Sequence, residues 1–243
     1  MAASLPTDPV RSSVLVTGAA SGMGLAVAER FRDEGWFVVA LDRDADALRT
    51  TAGSWTGSAH REIVTDVTDR AALAAALDGV GPLTAVVNAA GIYPPTTLAD
   101  YDEETYRRIF DVNVLGTLNV IAEAVPALRA AGGGTIVNFA SIDAFAVSRG
   151  QLLYSASKAA VVSLTRSLAI ELGGDGIAVN AVAPGWVDTP GTRAGGRMEA
   201  AVATIPLGRA AQPSEIATWV WQLCHGSYMT GETLVISGGV IVR

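Results

Sequence analysis

Tyr154 and Lys158 are four residues apart in a stretch of helical composition, so both side chains should lie on one face of a helix. A free phenol has a pKa of roughly 10, which is too high for ready proton exchange at neutral pH. A nearby ammonium group favours the phenolate and lowers that pKa, so the pair could act as a general acid or base. The same spacing also arises by chance, and alone it is weak evidence for a catalytic site.

Two other polar residues could belong to the same site. Ser141 directly follows the fifth predicted strand, where its hydroxyl could bond a carbonyl or alcohol oxygen. Asn113 lies in the predicted helical stretch Thr105–Val120 although asparagine is a mediocre helix former. The alternative for Asn113 is a polar residue that the helix merely tolerates.

A glycine-rich turn, Thr17 to Gly24, connects the first predicted strand to the amphipathic helix Leu25–Glu34. Glycines let the backbone approach a pyrophosphate, and the N–H groups at a helix start favour its negative charge. A tight turn without a ligand is the alternative. Asp42 ends the second predicted strand, where its carboxylate can accept hydrogen bonds from both ribose hydroxyls of NAD. It would repel a 2′-phosphate, so we expect NAD rather than NADP, although the adjacent Arg43 could pair with such a phosphate.

Two further segments follow predicted strands at the edge where open α/β sheets bind ligands. Asp66 follows the third strand, and Asn88-Ala89-Ala90-Gly91 follows the fourth. Taken singly, such residues are more often loop residues or helix caps. Their shared position makes a cofactor site the better interpretation.

Short runs that are apolar throughout recur between Ala- and Leu-rich helical stretches, a pattern typical of buried parallel strands. We predict an α/β chain with a doubly wound, seven-stranded parallel sheet, a three-layer αβα Rossmann fold in a single domain. Residues 1–11 should form a loose tail and 12–243 the domain, with a short lid at about 190–205. An ordinary disordered loop is the alternative for that segment. The predicted strands are Ser13–Val16, Phe37–Leu41, Ile63–Thr65, Ala85–Asn88, Thr135–Phe139, Ala178–Val182 and Thr233–Ile236.

The composition limits the partners. The 243 residues include 17 Lys and Arg against 24 Asp and Glu, a net charge of −7, which argues against nucleic acid or an anionic membrane as partner. The longest apolar runs have about six residues, far below the ~20 that cross a bilayer. The one cysteine, Cys224, permits no internal disulfide and fits a reducing compartment. We expect a cytoplasmic protein without a metal site.

Several motifs now stand in one order along the chain: Thr17-Gly-x-x-x-Gly-x-Gly24, Asp42, Asp66, Asn88-x-Ala-Gly91, Asn113, Ser141, Tyr154-x-x-x-Lys158, Asn180 and Pro184-Gly185-x-x-x-Thr189. This order and approximate spacing resemble those of the short-chain dehydrogenase/reductase family over nearly the whole chain. Two departures, Ala89 in place of a usual Asn and Met23 in place of a common Ile, should be silent.

The resemblance implies hydride transfer between NAD(H) and a ketone or secondary alcohol, with a catalytic tetrad of Asn113, Ser141, Tyr154 and Lys158. Tyr154 would be the general acid/base, Ser141 would orient the substrate oxygen, and Lys158 would bind the nicotinamide ribose and lower the Tyr154 pKa. Asn113 would hold a water of a proton relay. A homo-oligomer, dimer or tetramer, is also implied. The implied cofactor-binding residues are Gly18, Ser21, Gly22, Met23, Gly24, Asp42, Asp66, Val67, Asn88, Gly91, Tyr154, Lys158, Pro184, Gly185, Val187 and Thr189.

The substrate is less constrained. The segments Ile205–Arg209 and Thr230–Leu234 resemble the 3-oxoacyl carrier-protein reductases, which use NADPH, and that activity is the alternative. The places where such enzymes dock an acidic carrier hold glycines and Asp175, so we favour a free small molecule. A non-catalytic NAD-sensing regulator is a remote alternative. Asp143 could bond a polyol hydroxyl or an amine, or could simply face solvent. The candidate substrate residues are Tyr93, Ile142, Asp143, Gln151 and Trp186.

Overall fold

The computed structural model describes residues 12–55, 60–196, 198–226 and 228–242. Seven parallel strands form one sheet in the order β3-β2-β1-β4-β5-β6-β7, with helices on both faces. This confirms the predicted doubly wound sheet and its αβα layers. The expected tail, residues 1–11, lies outside the described residues.

The strands are β1 (Ser13–Thr17), β2 (Phe37–Asp42), β3 (His60–Val64), β4 (Ala85–Asn88), β5 (Gly134–Phe139), β6 (Ile177–Pro184) and β7 (Thr233–Ile236). The helices are α1 (Gly22–Asp33), α2 (Ala45–Ala52), α3 (Arg70–Leu77), α4 (Glu103–Phe110), α5 (Thr117–Ala130), α6 (Leu152–Leu172), α7 (Pro190–Ala194), α8 (Met198–Val202) and α9 (Pro213–His225).

The apolar strands are explained by cores on both faces of the sheet. Alternate residues of β1 enter opposite layers: Val14 and Val16 join the cluster packed by α1 and α9, whereas Leu15 joins the cluster that includes residues of α3, α5 and α6. Since successive side chains of a strand point to opposite faces, a strand covered on both sides must be apolar throughout.

Several regions differ from the sequence-based prediction. Helix α1 begins at Gly22, three residues before the expected Leu25, and β6 ends at Pro184, two residues after the expected Val182. Strand β3 starts at His60, three residues earlier than expected, where it pairs with β2. The helical stretch expected at Thr105–Val120 is part of a longer unit in which a π-helical turn, Asp111–Gly116, joins α4 to α5. The expected lid folds as two short helices, α7 and α8, because Thr189 and Pro190 supply an N-cap and a proline first turn.

The unit Glu103–Ala130 is long and apolar enough to cross a membrane by length and composition alone. In the structure 56% of its most apolar window is buried inside the fold. Val120, Ala124 and Leu128 of this unit belong to the core beneath the sheet, so the apolar composition is explained by packing.

The strand order reverses between β1 and β4, which places a crevice at the carboxyl ends of these two neighbours. Thr17 and Asn88 are register partners there, and Asp42 ends the adjoining strand β2. The fold thus brings the glycine turn and the residues after β4 and β5 to one edge of the sheet.

Candidate active site

The crevice contains two neighbouring cavities that share Met23, Tyr93, Thr189 and Gly191 in their walls. The larger, here called the cofactor cavity, has a volume of about 260 Å³, and the smaller, the substrate cavity, about 120 Å³. The predicted cofactor residues that line the cofactor cavity are Gly18, Ser21, Gly22, Met23, Gly24, Asp42, Asp66, Val67, Gly91 and Thr189.

The glycine turn is shaped for close approach to the backbone. Gly18 has φ +67°, and a Cβ on it would lie 3.0 Å from the backbone of Ala90. A Cβ on Gly24 would collide with the carbonyl oxygen of Gly18. Ser21 precedes α1 and its side chain caps none of the helix N–H groups. An anionic pyrophosphate fits this helix start, because its charge would be stabilised by those N–H groups and the helix dipole.

Asp42 is held rigidly beside the cofactor cavity. Its Oδ2 accepts a hydrogen bond from the Ala20 N–H and its Oδ1 one from the Asp44 N–H, both at 3.0 Å. Arg43 Nη1 lies 3.7 Å from Asp66 Oδ2. The wall at this end therefore presents a fixed carboxylate, with the neighbouring guanidinium paired to another acid.

Ser141 and Tyr154 line the substrate cavity, while Lys158 and Asn113 lie buried and line neither cavity. Lys158 Nζ donates a hydrogen bond of 2.6 Å to the Phe139 carbonyl and lies 5.8 Å from the centre of the Tyr154 ring. A Cβ on Gly91 would be 3.5 Å from Lys158 Nζ, so the ammonium lies just behind the wall of the cofactor cavity.

Burial governs the ionisation of both groups. It raises the pKa of the Tyr154 phenol above its ordinary value; a hydrogen bond from Ser141 opposes the rise, and the charge of Asp143 adds to it. Burial lowers the pKa of Lys158 to about 8. The direction for Tyr154 is opposite to the one expected from the sequence, because desolvation outweighs any stabilisation of the phenolate by the ammonium.

Asn113 is fixed by three hydrogen bonds. Its Oδ1 accepts from the Ile92 N–H at 2.8 Å, and its Nδ2 donates to the Ile92 carbonyl at 2.9 Å and to Ser157 Oγ at 3.0 Å. Ser157 in turn donates to the Tyr154 carbonyl at 2.7 Å. Sequence reasoning missed Ser157, since its link to a residue far away in the chain leaves no local pattern.

Asn88, expected to bind the cofactor, lines neither cavity. Its Nδ2 donates to Asn138 Oδ1 at 2.9 Å, and Asn138 Nδ2 donates to Thr165 Oγ1 at 3.0 Å. The side chain of Asn88 is thus part of a buried link from β4 through β5 to α6, because a polar group inside the sheet must find partners there. The Asn88 Oδ1 has no hydrogen-bond partner among the described residues, so its contact with a cofactor stays a prediction.

The five predicted substrate residues come together. The substrate cavity is lined by Tyr93, Ile142, Asp143, Gln151 and Trp186, together with Pro184, Gly185 and Val187 of the predicted cofactor loop. The rings of Tyr93 and Tyr154 meet edge to face, with centroids 6.0 Å apart. The cavity therefore offers a small mixed surface beside the Ser141 and Tyr154 hydroxyls.

Comparison with known proteins agrees with this geometry. The family model described as enoyl-(acyl carrier protein) reductase matches residues 18–241. Galactitol 2-dehydrogenase (L-tagatose-forming) of Cereibacter sphaeroides is 38% identical, with 93% of this chain and 94% of the relative covered. The 3-oxoacyl-acyl-carrier-protein reductase FabG of Thermotoga maritima is 37% identical, with 94% and 97% covered.

Among solved structures, L-sorbose reductase from Gluconobacter frateurii, complexed with NADPH and L-sorbose, superposes with a TM-score of 0.89 at 28% identity, covering 96% of this chain and 97% of that one. The relatives are oxidoreductases that act on alcohols and ketones, and the family uses nicotinamide cofactors. The chain thus belongs to the short-chain dehydrogenase/reductase family.

Proposed function

We propose that this protein is an NAD-preferring dehydrogenase that interconverts a ketone and a secondary alcohol of a free small molecule, with Tyr154 as general acid and base. The observation that carries the proposal is that Ser141 and Tyr154 line the substrate cavity, next to a cofactor cavity formed by the glycine turn. When bound, the nicotinamide supplies the hydride chemistry and the chain manages the proton.

The reacting oxygen of the substrate would lie between the two hydroxyls. Ser141 Oγ accepts a hydrogen bond from the Asp143 N–H at 3.1 Å. Its own proton, which is directed to Tyr154 in the structure, would be donated to that oxygen when substrate is bound. During reduction Tyr154 donates its proton to the carbonyl oxygen, and during oxidation it accepts the alcohol proton. A raised pKa of Tyr154 suits the acid role at neutral pH, because the proton is present.

Lys158 would support both steps from behind the cavity wall. With a pKa lowered to about 8, its ammonium is charged at neutral pH and would stabilise the negative charge that develops on Tyr154 when it gives up its proton. It would also hold the nicotinamide ribose, and Asn113 would order a water between Lys158 and solvent.

The cofactor preference rests on Asp42. A 2′-phosphate at this end of the cavity would meet a carboxylate that two backbone N–H groups hold in place. We expect a ratio of kcat/KM for NADH over NADPH of at least tenfold, and the variant Asp42→Ala should narrow it. A tenfold preference of the wild type for NADPH would refute this part of the proposal.

A free substrate is favoured over a carrier-bound one by the charges at the end of α5 and in the turn after α6. Arg129, at the end of α5, pairs with Asp175 at 2.8 and 2.7 Å, so its charge is already compensated. The FabG relative keeps carrier-bound 3-oxoacyl reduction as the second candidate. Activity on acyl thioesters alone would favour that candidate.

The test is a spectrophotometric screen at 340 nm of NADH and NADPH against ketones and alcohols that include cyclic diols, sugars and acyl thioesters. Tyr154→Phe should lose turnover while NADH binding, followed by fluorescence titration, persists. Tyr228→Phe removes a hydroxyl from a fully exposed tyrosine and serves as the matched control. Retained turnover in Tyr154→Phe would refute the acid/base role, and binding without turnover in the wild type would point to an NAD sensor.

We also propose that the protein is a homo-oligomer, a dimer or tetramer, that associates through the helices near residues 105–130 and 153–172 and through the last strand. Exposed apolar side chains on these helices, such as Leu115 and Ile170, support this proposal.

A further inference from the structure

Asp143 occupies a fixed position in the wall of the substrate cavity. It belongs to a short 3₁₀ turn, Ile142–Ala144, that begins directly after Ser141. Its N–H donates to Ser141 Oγ at 3.1 Å, and its Oδ1 accepts from the Ser148 N–H at 2.9 Å. The turn therefore fixes the carboxylate relative to the hydroxyl that would hold the reacting oxygen.

The charge of Asp143 is not compensated by a neighbouring cation. In the part of the chain that the structure describes, no lysine, arginine or histidine forms an ion pair with it. The residues that line the substrate cavity include no basic side chain, and Asp143 is the one acid among them. The negative charge of Asp143 acts on the Tyr154 phenol, since it contributes to the raised pKa of that group. A partly buried carboxylate of this kind is stabilised when a ligand donates a hydrogen bond to it.

The rest of the wall favours a hydroxyl group as that donor. Tyr93, Ser148 and Thr192 add neutral hydroxyl groups, and Trp186 adds a flat apolar surface. A substrate carboxylate would be repelled by Asp143. A substrate amine would contact one acid and otherwise neutral groups. A substrate hydroxyl can donate a hydrogen bond to Asp143 and can also donate to or accept from the neutral hydroxyl groups of the wall.

We propose that Asp143 is a specificity-determining residue that accepts a hydrogen bond from a hydroxyl on the carbon next to the reacting carbon, so that the substrates are α-hydroxyketones and vicinal diols. This inference rests on the proposed function of the same site. We choose the neighbouring carbon because Asp143 adjoins Ser141, whose Oγ accepts a hydrogen bond from the Asp143 N–H, and a hydroxyl on that carbon is the one nearest to the reacting oxygen.

The test compares three ketones of equal size that carry a methyl, a hydroxyl or an ammonium group beside the carbonyl: butanone, hydroxyacetone and aminoacetone, or the same substituents on the most active ketone of the screen. Each is assayed with wild type, Asp143→Ala and Asp143→Asn. Asp46→Ala, which removes an exposed acid on α2, is the matched control. The intrinsic reactivity of the ketones cancels when the ratio of kcat/KM for the hydroxyl over the methyl compound is compared between proteins.

In Asp143→Ala this ratio should fall by about tenfold to a hundredfold, the usual range for a hydrogen bond to a charged group. Asp143→Asn keeps an acceptor for the Ser148 N–H and should lie between Asp143→Ala and wild type, while Asp46→Ala keeps the wild-type ratio. An unchanged ratio in Asp143→Ala overturns the inference, as does a larger loss for aminoacetone than for hydroxyacetone, which would assign the carboxylate to a cation. If wild type reduces no ketone of the screen, the proposed function itself fails.

Discussion

The ammonium group of Lys158 is unusual in this chain because Lys158 is the only lysine of the sequence and is only 5% exposed. In the part of the chain that the structure describes, its one hydrogen bond is to the Phe139 carbonyl, and burial lowers its pKa from 10.5 to about 8. Burial therefore destabilises the charged form of Lys158. Holding this ammonium group next to Tyr154 makes folding less favourable.

This cost predicts a dependence of stability on pH. Between pH 8 and 10.5 the unfolded chain holds a proton on Lys158 that the folded chain has released. The contribution of Lys158 to the free energy of unfolding therefore increases as the pH rises. The gain amounts to at most about 3 kcal/mol. We expect urea denaturation to give Lys158→Met a higher free energy of unfolding than wild type. This difference should be larger at pH 7 than at pH 10.

A direct titration gives the control for this prediction. Because the chain has a single lysine, protein labelled with ¹⁵N at the lysine Nζ or with ¹³C at the lysine Cε should show one labelled side-chain resonance by NMR. Its midpoint should lie near pH 8. A midpoint at the ordinary value of 10.5, or a stability difference between the two proteins that does not change with pH, would contradict the lowered pKa.

At the scale of elements, the position of α6 relative to the α4–α5 unit depends on buried polar links. Ser157 on α6 receives a hydrogen bond from Asn113 in the π-helical turn and donates one to the Tyr154 carbonyl. Ser157 is fully buried. We interpret Ser157 as a positioning residue that sets where α6 holds Tyr154.

Replacing Ser157 by alanine should lower the free energy of unfolding by about 1–3 kcal/mol, because the Asn113 amide loses one of its buried partners. The loss of activity should appear mainly in kcat and not in KM, since Ser157 lines neither the cofactor cavity nor the substrate cavity. Ser163→Ala, an exposed serine on the same helix, is the matched control and should be neutral or slightly stabilising. Equal stability of the two variants in urea would show that the Asn113–Ser157 link is not structural.

The elements also show what the sequence could predict. The seven strands, their parallel arrangement and the edge that carries the site follow from apolar runs and glycine turns, because these depend on local composition. The π-helical turn around Asn113, the pairing of Asn88 with Asn138 and the capped helix α7 depend on contacts between distant residues or on cap geometry. The upward pKa shift of Tyr154 depends on burial, which spacing alone does not reveal.

At the scale of the whole molecule, the 24 acidic residues behind the net charge of −7 include some that form ion pairs and some that lie at the site. Ion pairs such as Arg129–Asp175 and Arg209–Glu215 neutralise acids at the surface, whereas Asp42 and Asp143 belong to the walls of the crevice. The crevice is formed by segments spread from Gly18 to Gly195, so cofactor or substrate bound there would stabilise the fold as a unit.

The outer surface of α6 predicts self-association. Ile170 is 86% exposed, and Leu152 at the other end of the helix is 43% exposed, although both are apolar. A 25.0 kDa chain that covers these side chains with a second copy would elute as a dimer or tetramer in size-exclusion chromatography with light scattering. Ile170→Glu should shift the measured mass of the particle toward that of the monomer, because the association would then bury a charge.

Glu171→Gln, at the next position, is the control and should leave the measured mass unchanged. A wild-type mass of one chain would refute the oligomer, and an unchanged mass in Ile170→Glu would place the interface elsewhere.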